Sequence, residues 1–214
     1  MRLGIFGGTF NPVHSGHLRT AEEARYKLRL DKIIFVPSGN PPLKEHGAVA
    51  ASHRYAMVVL GTASNRDFIV SDLEAGQRGK SYTVDTIRLL KKKFPGDELF
   101  FILGTDAFLD IPKWHQPEKL TGMTDFIVVS RPGIGFDAIT DSPYIQSVES
   151  RNDTYTYCSL ISGRSAFLVP VTRFDISSTD IRGLAGREMS IKYLLPASVE
   201  RYIKKNKLYV VSSK

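Results

Sequence analysis

The sequence has few of the features that mark secreted or membrane-bound proteins. Its 214 residues include one cysteine and one tryptophan. Because Cys158 is the only thiol, an intrachain disulfide framework is excluded. No apolar run reaches the roughly 18 residues that a membrane-spanning helix needs. No basic leader with an apolar segment precedes the first predicted strand, so we expect a cytoplasmic protein that does not bind membranes.

An excess of acidic residues is also absent. Lysine and arginine number 29 against 22 aspartate and glutamate, which gives a net charge of +7. Such a balance fits nucleic acid or small polyanions such as nucleotides. The lysine groups at 91–93 and 204–207 are not interleaved with aromatic residues in the manner of RNA-binding segments. We therefore expect nucleotides, and no nucleic acid, as partners.

Short apolar segments alternate with helical patterns along the chain. This alternation predicts an α/β fold with a Rossmann-like, doubly wound parallel sheet. No linker or repeat interrupts it, so we expect a single domain over residues 1–214, with a small helical part from about 177 to 214. The stretch 134–164 is polar, lacks clear periodicity and receives no assignment. The predicted strands are Leu3–Phe6, Lys32–Pro37, Phe68–Ser71, Glu98–Leu103, Asp125–Ser130 and Ala166–Val169.

The peptide Gly7–His17 joins the first predicted strand to a helix. Ser15 is the predicted N-cap, and Gly16 lets the backbone approach a ligand. Backbone N–H groups and the helix dipole make such a junction a phosphate site, to which His14 and His17 add donors. A dinucleotide fingerprint would need a different glycine spacing. Two histidines alone form a poor zinc site, and a tight turn with two satisfied histidines is the remaining alternative.

A second anion-binding helix start is predicted at Ser177–Thr179. Its hydroxyl and N–H groups, with Arg182 one turn further on, suit the β- and γ-phosphates of a nucleotide. Ordinary helix capping would account for one serine. It does not account for two serines, a threonine and an arginine together.

The peptides His14–His17 and Ile176–Arg182 resemble the two signature motifs of the nucleotidyltransferase superfamily, in this order and about 160 residues apart. With the features between them, the whole chain resembles the bacterial nicotinate-nucleotide adenylyltransferase family. The resemblance implies adenylyl transfer from ATP to nicotinate mononucleotide, which yields nicotinate adenine dinucleotide and pyrophosphate in NAD biosynthesis. Mg²⁺ would then be bound through the ATP phosphates, with no protein metal ligand.

The resemblance also implies roles for individual residues. The expected catalytic residues are His14, His17 and Arg182. ATP binding is expected of Gly7, Gly8, Thr9, Phe10, Gly16, Lys44, Gly104, Asp106, Ser177, Ser178, Thr179 and Arg182. Binding of the mononucleotide substrate is expected of Asn11, Lys44, Tyr82, Thr83, Trp114 and Arg131.

Between the two motifs, the resemblance concerns the nicotinate and ribose groups. Tyr82 and Thr83 open a predicted helix whose N–H groups would receive the nicotinate carboxylate. Gly104 and Asp106 would lie against a ribose, although the family has alanine where this chain has Thr105. A lone tryptophan is more often a core residue. In the family, however, a tryptophan after the strand that corresponds to Glu98–Leu103 stacks on the pyridine ring, which favours that role for Trp114.

Several alternatives remain open at the level of the sequence. Lys44 fits a phosphate contact or a solvated surface loop, and Arg54 could meet a bound anion or solvent. Arg131 follows a strand and could stack on a base or pair with a phosphate. An adenylyltransferase for phosphopantetheine or nicotinamide mononucleotide and a non-catalytic nucleotide-binding protein are the rival functions. The sequence does not decide whether the protein is a homo-oligomer or whether a lid moves.

Overall fold

The computed structural model describes residues 1–40, 48–76, 79–130 and 136–210. Its strands are β1 (Arg2–Gly8), β2 (Lys32–Pro37), β3 (Phe68–Val70), β4 (Glu98–Gly104), β5 (Asp125–Val129), β6 (Ile145–Arg151), β7 (Thr156–Leu160) and β8 (Ser165–Val169). Its helices are α1 (Ser15–Lys27), α2 (Ala51–Thr62), α3 (Thr83–Lys93), α4 (Thr105–Leu109), α5 (Pro117–Met123), α6 (Asp137–Thr140), α7 (Ser178–Gly186) and α8 (Ala197–Lys205). A 3₁₀ turn covers Ile111–Lys113.

The described strands form one sheet in the order β3-β2-β1-β4-β5-β8-β7-β6. The pairs β1–β4, β4–β5 and β5–β8 are parallel. In β4, every residue from Leu99 to Gly104 is buried, as expected of a parallel strand covered on both faces. The predicted α/β class with a largely parallel sheet is confirmed.

The strands β6 and β7 lie inside the stretch that the sequence left unassigned. They pair antiparallel, and β7 also pairs antiparallel with β8. Almost every residue of β6 is exposed, so it has no buried face that would produce an apolar alternation. In β7 only Cys158 and Leu160 are buried. The short helices α4, α5 and α6 were not predicted either, because seven residues or fewer cannot show a helical period.

The chain divides into two compact units. Unit 1 comprises Met1–Gly7, Thr20–Ile34 and Tyr82–Arg173, and it contains the sheet from β1 through β4, β5, β8 and β7 to β6. Unit 2 comprises Gly8–Arg19, Phe35–Ser81 and Phe174–Lys214. The helices α7 and α8 belong to unit 2 and lie within residues 177–214. The prediction that the whole chain is a single domain stays a prediction.

None of the helices in the described part of the chain is both long enough and apolar enough to cross a membrane. The two longest, α1 and α2, have 13 and 12 residues.

Candidate active site

The first motif begins α1 one residue earlier than predicted. The helix starts at Ser15, and the carbonyl oxygen of His14 accepts the N–H of Leu18 at 3.2 Å. His14 therefore holds the cap position that was predicted for Ser15. The N–H of Ser15 donates to the carbonyl oxygen of Leu194 at 3.0 Å. His14 itself therefore lies at the positive end of the dipole of α1.

The two imidazole rings of the first motif lie against each other. The ring centroids of His14 and His17 are 3.7 Å apart, with 33° between the ring planes. Nδ1 of His17 accepts the backbone N–H of His14 at 3.3 Å. A neutral His17 ring with this bond carries its proton on Nε2. The ring of Phe10 packs edge-on against His17 at 5.1 Å, so packing fixes the position of the His17 ring.

Two glycines of this loop make room for the rings. A Cβ on Gly8 would lie 3.0 Å from the ring of Phe10, and a Cβ on Gly16 would lie 3.1 Å from Nδ1 of His14. Both distances are shorter than ordinary van der Waals contacts, so the neighbouring ring would have to shift. Packed interiors leave little space for such a shift. The sequence predicted Gly16 as a close approach of the backbone to a ligand. The contacts show that it also accommodates the His14 ring.

The second motif binds the backbone of the first. Oγ of Ser178 donates to the carbonyl oxygen of Pro12 at 2.9 Å. Nη1 of Arg182 donates to the carbonyl oxygen of Asn11, also at 2.9 Å. Its Nη2 donates to Oγ1 of Thr179 at 3.2 Å. Two motifs far apart in sequence thus meet within unit 2.

Ser177 has a role at the start of α7 that is separate from these contacts. It is the N-cap residue, and its Oγ accepts the N–H of Asp180 at 3.0 Å. The same hydroxyl donates to a carboxylate oxygen of Asp180 at 2.5 Å. Ordinary capping therefore accounts for Ser177, while Ser178 and Arg182 connect the motifs.

Asn11 is hydrogen-bonded through both its side chain and its backbone carbonyl. Its side chain is buried, and Oδ1 accepts the hydroxyl of Tyr209 at 2.9 Å and the N–H of Val49 at 3.4 Å. Its carbonyl oxygen accepts from Arg182. Sequence reasoning identified Asn11 but missed Tyr209. Tyr209 follows the last helix and belongs to no periodic pattern, so the sequence offered no signal for it.

Arg54 does not point to solvent, which was one of the two alternatives from the sequence. Its side chain is 2% exposed. The guanidinium donates to the carbonyl oxygens of Thr9 at 2.9 Å, Gly39 at 2.8 Å and Val49 at 3.1 Å. Burial lowers its pKa, an effect that the neighbouring Tyr209 and Glu74 oppose. A buried cation thus ties the first-motif loop to the loop after β2 and to the start of α2.

In unit 1, the predicted pyridine residues lie at the start of α3 and after the 3₁₀ turn. Tyr82 is the N-cap residue of α3, and Thr83 is its first residue. The Tyr82 ring stacks on the ring of His115, with centroids 4.2 Å apart and 31° between planes. Trp114 is half-buried and packs edge-on against Phe101 at 6.2 Å. The tryptophan is therefore not a fully buried core residue, and His115 is a neighbour that sequence reasoning did not single out.

The structure accounts for the departure of Thr105 from the family pattern. Thr105 is fully buried, and its Oγ1 donates to the carbonyl oxygen of Val129 at 3.2 Å. A buried hydroxyl costs little when it is hydrogen-bonded. Gly104 is the last residue of β4, and Asp106 lies in the first turn of α4. The substitution therefore leaves both predicted ribose residues at the carboxyl end of a parallel strand.

Lys44 and Arg131 lie outside the described residues. Within residues 1–40, 48–76, 79–130 and 136–210, no three histidine, cysteine or carboxylate side chains are grouped as metal ligands.

Comparison with known proteins identifies the family. The model of the cytidylyltransferase-like family matches residues 5–184. A probable nicotinate-nucleotide adenylyltransferase of Geobacter sulfurreducens is 45% identical, and the match covers 98% of each chain. One from Geotalea daltonii is 42% identical with the same coverage. The chain belongs to the nicotinate-nucleotide adenylyltransferase family.

The solved structures agree with this family assignment at the level of the fold. Nicotinic acid mononucleotide adenylyltransferase of Plasmodium falciparum, in complex with NaAD, superimposes with a TM-score of 0.73. It is 21% identical, and 97% of each chain is covered. Membership of the nicotinate-nucleotide adenylyltransferase family makes the protein a nucleotidyltransferase. Enzymes of this kind generally use a divalent metal ion with their nucleotide.

Proposed function

We propose that the protein transfers the adenylyl group of ATP to nicotinate mononucleotide, releasing pyrophosphate and forming nicotinate adenine dinucleotide. The observation that carries the proposal is the junction of the two motifs. Ser178 and Arg182 bind the consecutive carbonyls of Pro12 and Asn11. His14, at the end of this loop, forms a stacked pair with His17 of α1. Cationic and N–H donors gathered in this way suit a polyphosphate.

The reaction is a displacement at the α-phosphorus of ATP. A phosphate oxygen of nicotinate mononucleotide forms the new P–O bond as the bond to the pyrophosphate oxygen breaks. The attacking phosphate is already ionised at neutral pH, so no strong general base is needed. The electron pair of the broken bond leaves with pyrophosphate. Alignment and charge neutralisation are then the main tasks of the protein.

The residues of unit 2 divide these tasks. The Nε2–H that the His14 backbone bond favours on His17 would donate to an α-phosphate oxygen as negative charge develops. His14, at the N-terminus of α1, would bind the α- and β-phosphates. The backbone N–H of Ser178, the first residue of α7, and the guanidinium of Arg182 would hold the departing pyrophosphate, with assistance from Lys44. The guanidinium of Arg182 is already oriented by its hydrogen bonds to Oγ1 of Thr179 and to the carbonyl oxygen of Asn11.

A metal ion fits this site through the nucleotide. The donors of the two motifs are imidazole N–H, hydroxyl and guanidinium groups, which bind phosphate oxygens and do not form a carboxylate cage. Mg²⁺ held by the ATP phosphates would neutralise part of their charge. The other contributions come from side chains of the two motifs.

Recognition of the pyridine is assigned to the start of α3 and to Trp114. The N–H groups at the beginning of an 11-residue helix favour a carboxylate. The half-buried Trp114 ring offers an aromatic surface for a pyridine ring. Preference for nicotinate over nicotinamide would follow from the charge of the carboxylate. A cytoplasmic location is part of the same proposal.

The test is pyrophosphate release from Mg-ATP with nicotinate mononucleotide, nicotinamide mononucleotide or phosphopantetheine as acceptor. We expect fast release with the nicotinate form and little release without an acceptor. A His17→Ala variant prepared in the same way controls for contaminating enzymes. Equal rates with both pyridine nucleotides would contradict the proposal that Tyr82 and Thr83 form a binding site for the nicotinate carboxylate. Release only with phosphopantetheine would overturn the proposed substrate.

A further inference from the structure

The segment that follows α8 returns to the first-motif loop. After α8 the chain takes left-handed backbone conformations at Lys207 (φ 51°) and Tyr209 (φ 68°). Leu208 between them is buried, and its N–H donates to the carbonyl oxygen of Ile203 at 3.0 Å. Residues other than glycine adopt positive φ at an energetic cost, so surrounding contacts must hold this bend. The bend directs the Tyr209 side chain to Asn11.

We propose that Tyr209 is a positioning residue that orients the side-chain amide of Asn11 for binding of the mononucleotide substrate. The Tyr209 hydroxyl and the N–H of Val49 both donate to Oδ1 of Asn11. With its oxygen turned toward two protein donors, the amide has one orientation, and its NH₂ lies on the opposite side of Cγ. An NH₂ group is the end of the amide that can donate to an anionic substrate. The inference rests on the proposed function, because Asn11 is one of its predicted substrate-binding residues.

The surroundings keep the Tyr209 hydroxyl a donor. Burial raises the pKa of Tyr209, and the nearby cations Arg182 and Arg54 only partly oppose this effect. The phenol therefore stays protonated at neutral pH. The Tyr209 side chain is half-buried, and its hydroxyl also lies 4.0 Å from Sδ of Met57.

The backbone and the side chain of Asn11 are held by different residues. Arg182 binds the carbonyl oxygen, whereas Tyr209 binds only the side-chain amide. Loss of the Tyr209 hydroxyl should therefore affect the substrate that the amide contacts more than the ATP phosphates near Arg182. This difference separates a positioning role from a general loss of stability, which would affect both substrates alike.

The test compares Tyr209→Phe with Tyr202→Phe. Tyr202 is also half-buried, and its hydroxyl lies 2.9 Å from Nδ1 of His53, a residue of neither motif. Each variant loses one hydroxyl that is hydrogen-bonded to another side chain, so similar small decreases in Tm are expected. We expect Tyr209→Phe to raise the KM for nicotinate mononucleotide roughly three- to tenfold with an unchanged KM for ATP, the effect of one lost hydrogen bond. Tyr202→Phe should change neither KM.

A double-mutant cycle with Asn11→Ala tests whether Tyr209 acts through Asn11. Tyr209→Phe should have no further effect on the KM for the mononucleotide in the Asn11→Ala background. Additive effects would overturn the inference, as would equal kinetics of Tyr209→Phe and Tyr202→Phe or a change confined to the KM for ATP.

Calorimetric binding of nicotinate mononucleotide without ATP separates this inference from the proposed function. A wild-type protein that binds the mononucleotide without turnover would contradict the function alone, and weaker binding by Tyr209→Phe would still support the inference. Equal affinities of the wild-type protein and Tyr209→Phe would overturn the inference alone. A wild-type protein that neither binds the mononucleotide nor releases pyrophosphate with it would overturn both.

Discussion

The absence of a side chain at Gly16 determines where the His14 imidazole can lie. Gly16→Ala would put a Cβ 3.1 Å from Nδ1 of His14 and force the ring to move. The ring must move by a few tenths of an ångström, and a misplacement of about 1 Å at a reacting centre can cost about 100-fold in rate. We therefore expect a smaller decrease, of about threefold to tenfold, in kcat/KM for ATP, measured by pyrophosphate release. Gly122→Ala is the control, because a Cβ there meets no atom within 4 Å. Full activity of Gly16→Ala would show that the His14 position is not critical.

His17 is the residue whose removal should cost most in the transition state. Its ring is fixed by Phe10 and by the backbone N–H of His14, so its donor needs no reorganisation during the reaction. By analogy with one oxyanion-hole donor, His17→Ala should lose about 2–4 kcal/mol of transition-state stabilisation. Single-turnover kinetics at saturating substrates measure this loss. His53→Ala, which removes a histidine bonded to Tyr202, serves as the control. A near-normal turnover rate of His17→Ala would contradict the assigned role.

At the scale of elements, the buried guanidinium of Arg54 joins three loops of unit 2. Arg54→Met would keep much of the apolar volume but leave the carbonyls of Thr9, Gly39 and Val49 without their donor. We expect the free energy of unfolding to fall by about 2–4 kcal/mol. Urea denaturation measures the change, and Arg201→Met at an exposed position of α8 is the control. Equal stability of the two variants would mean that the three hydrogen bonds contribute nothing net.

Elements with a strong periodic pattern could be predicted from the sequence, and elements defined by pairing could not. The strand β2 has the predicted bounds, Lys32–Pro37. Its residues form a clear apolar run. The strands β6 and β7 were missed because they are specified by antiparallel pairing with each other and with β8. An exposed edge strand has no periodic burial for a sequence reader to detect.

The same distinction applies to the residues of the site. The sequence indicated His14, His17, Ser178 and Arg182 through motif spacing, and the structure brings all four into unit 2. It gave no sign that Ser178 and Arg182 bind the carbonyls of the first motif. Long-range hydrogen bonds to backbone atoms leave no mark on residue type. The roles assigned to these residues stay predictions.

For the molecule as a whole, a net charge of +7 agrees with anionic substrates. The positions of the expected substrate-binding residues indicate more specifically where each substrate binds. Unit 2 contains the two motifs expected to bind the ATP phosphates, and unit 1 contains Tyr82, Thr83 and Trp114, which are expected to bind the pyridine nucleotide. Variants of these two sets should change the KM of different substrates, whereas Asn11 of unit 2 is expected to bind the mononucleotide, and Gly104 and Asp106 of unit 1 are expected to bind ATP.

The central claim is that the adenylyl group, and not a phosphoryl group, is transferred. The most direct measurement incubates the protein with Mg²⁺, nicotinate mononucleotide and ATP labelled with ³²P at either the α or the γ position. We expect the α label in nicotinate adenine dinucleotide and the γ label in pyrophosphate. Transfer of the γ label to the mononucleotide, with the α label retained in ADP, would contradict the account, because a phosphoryl group would then have been transferred by cleavage of the β–γ bond.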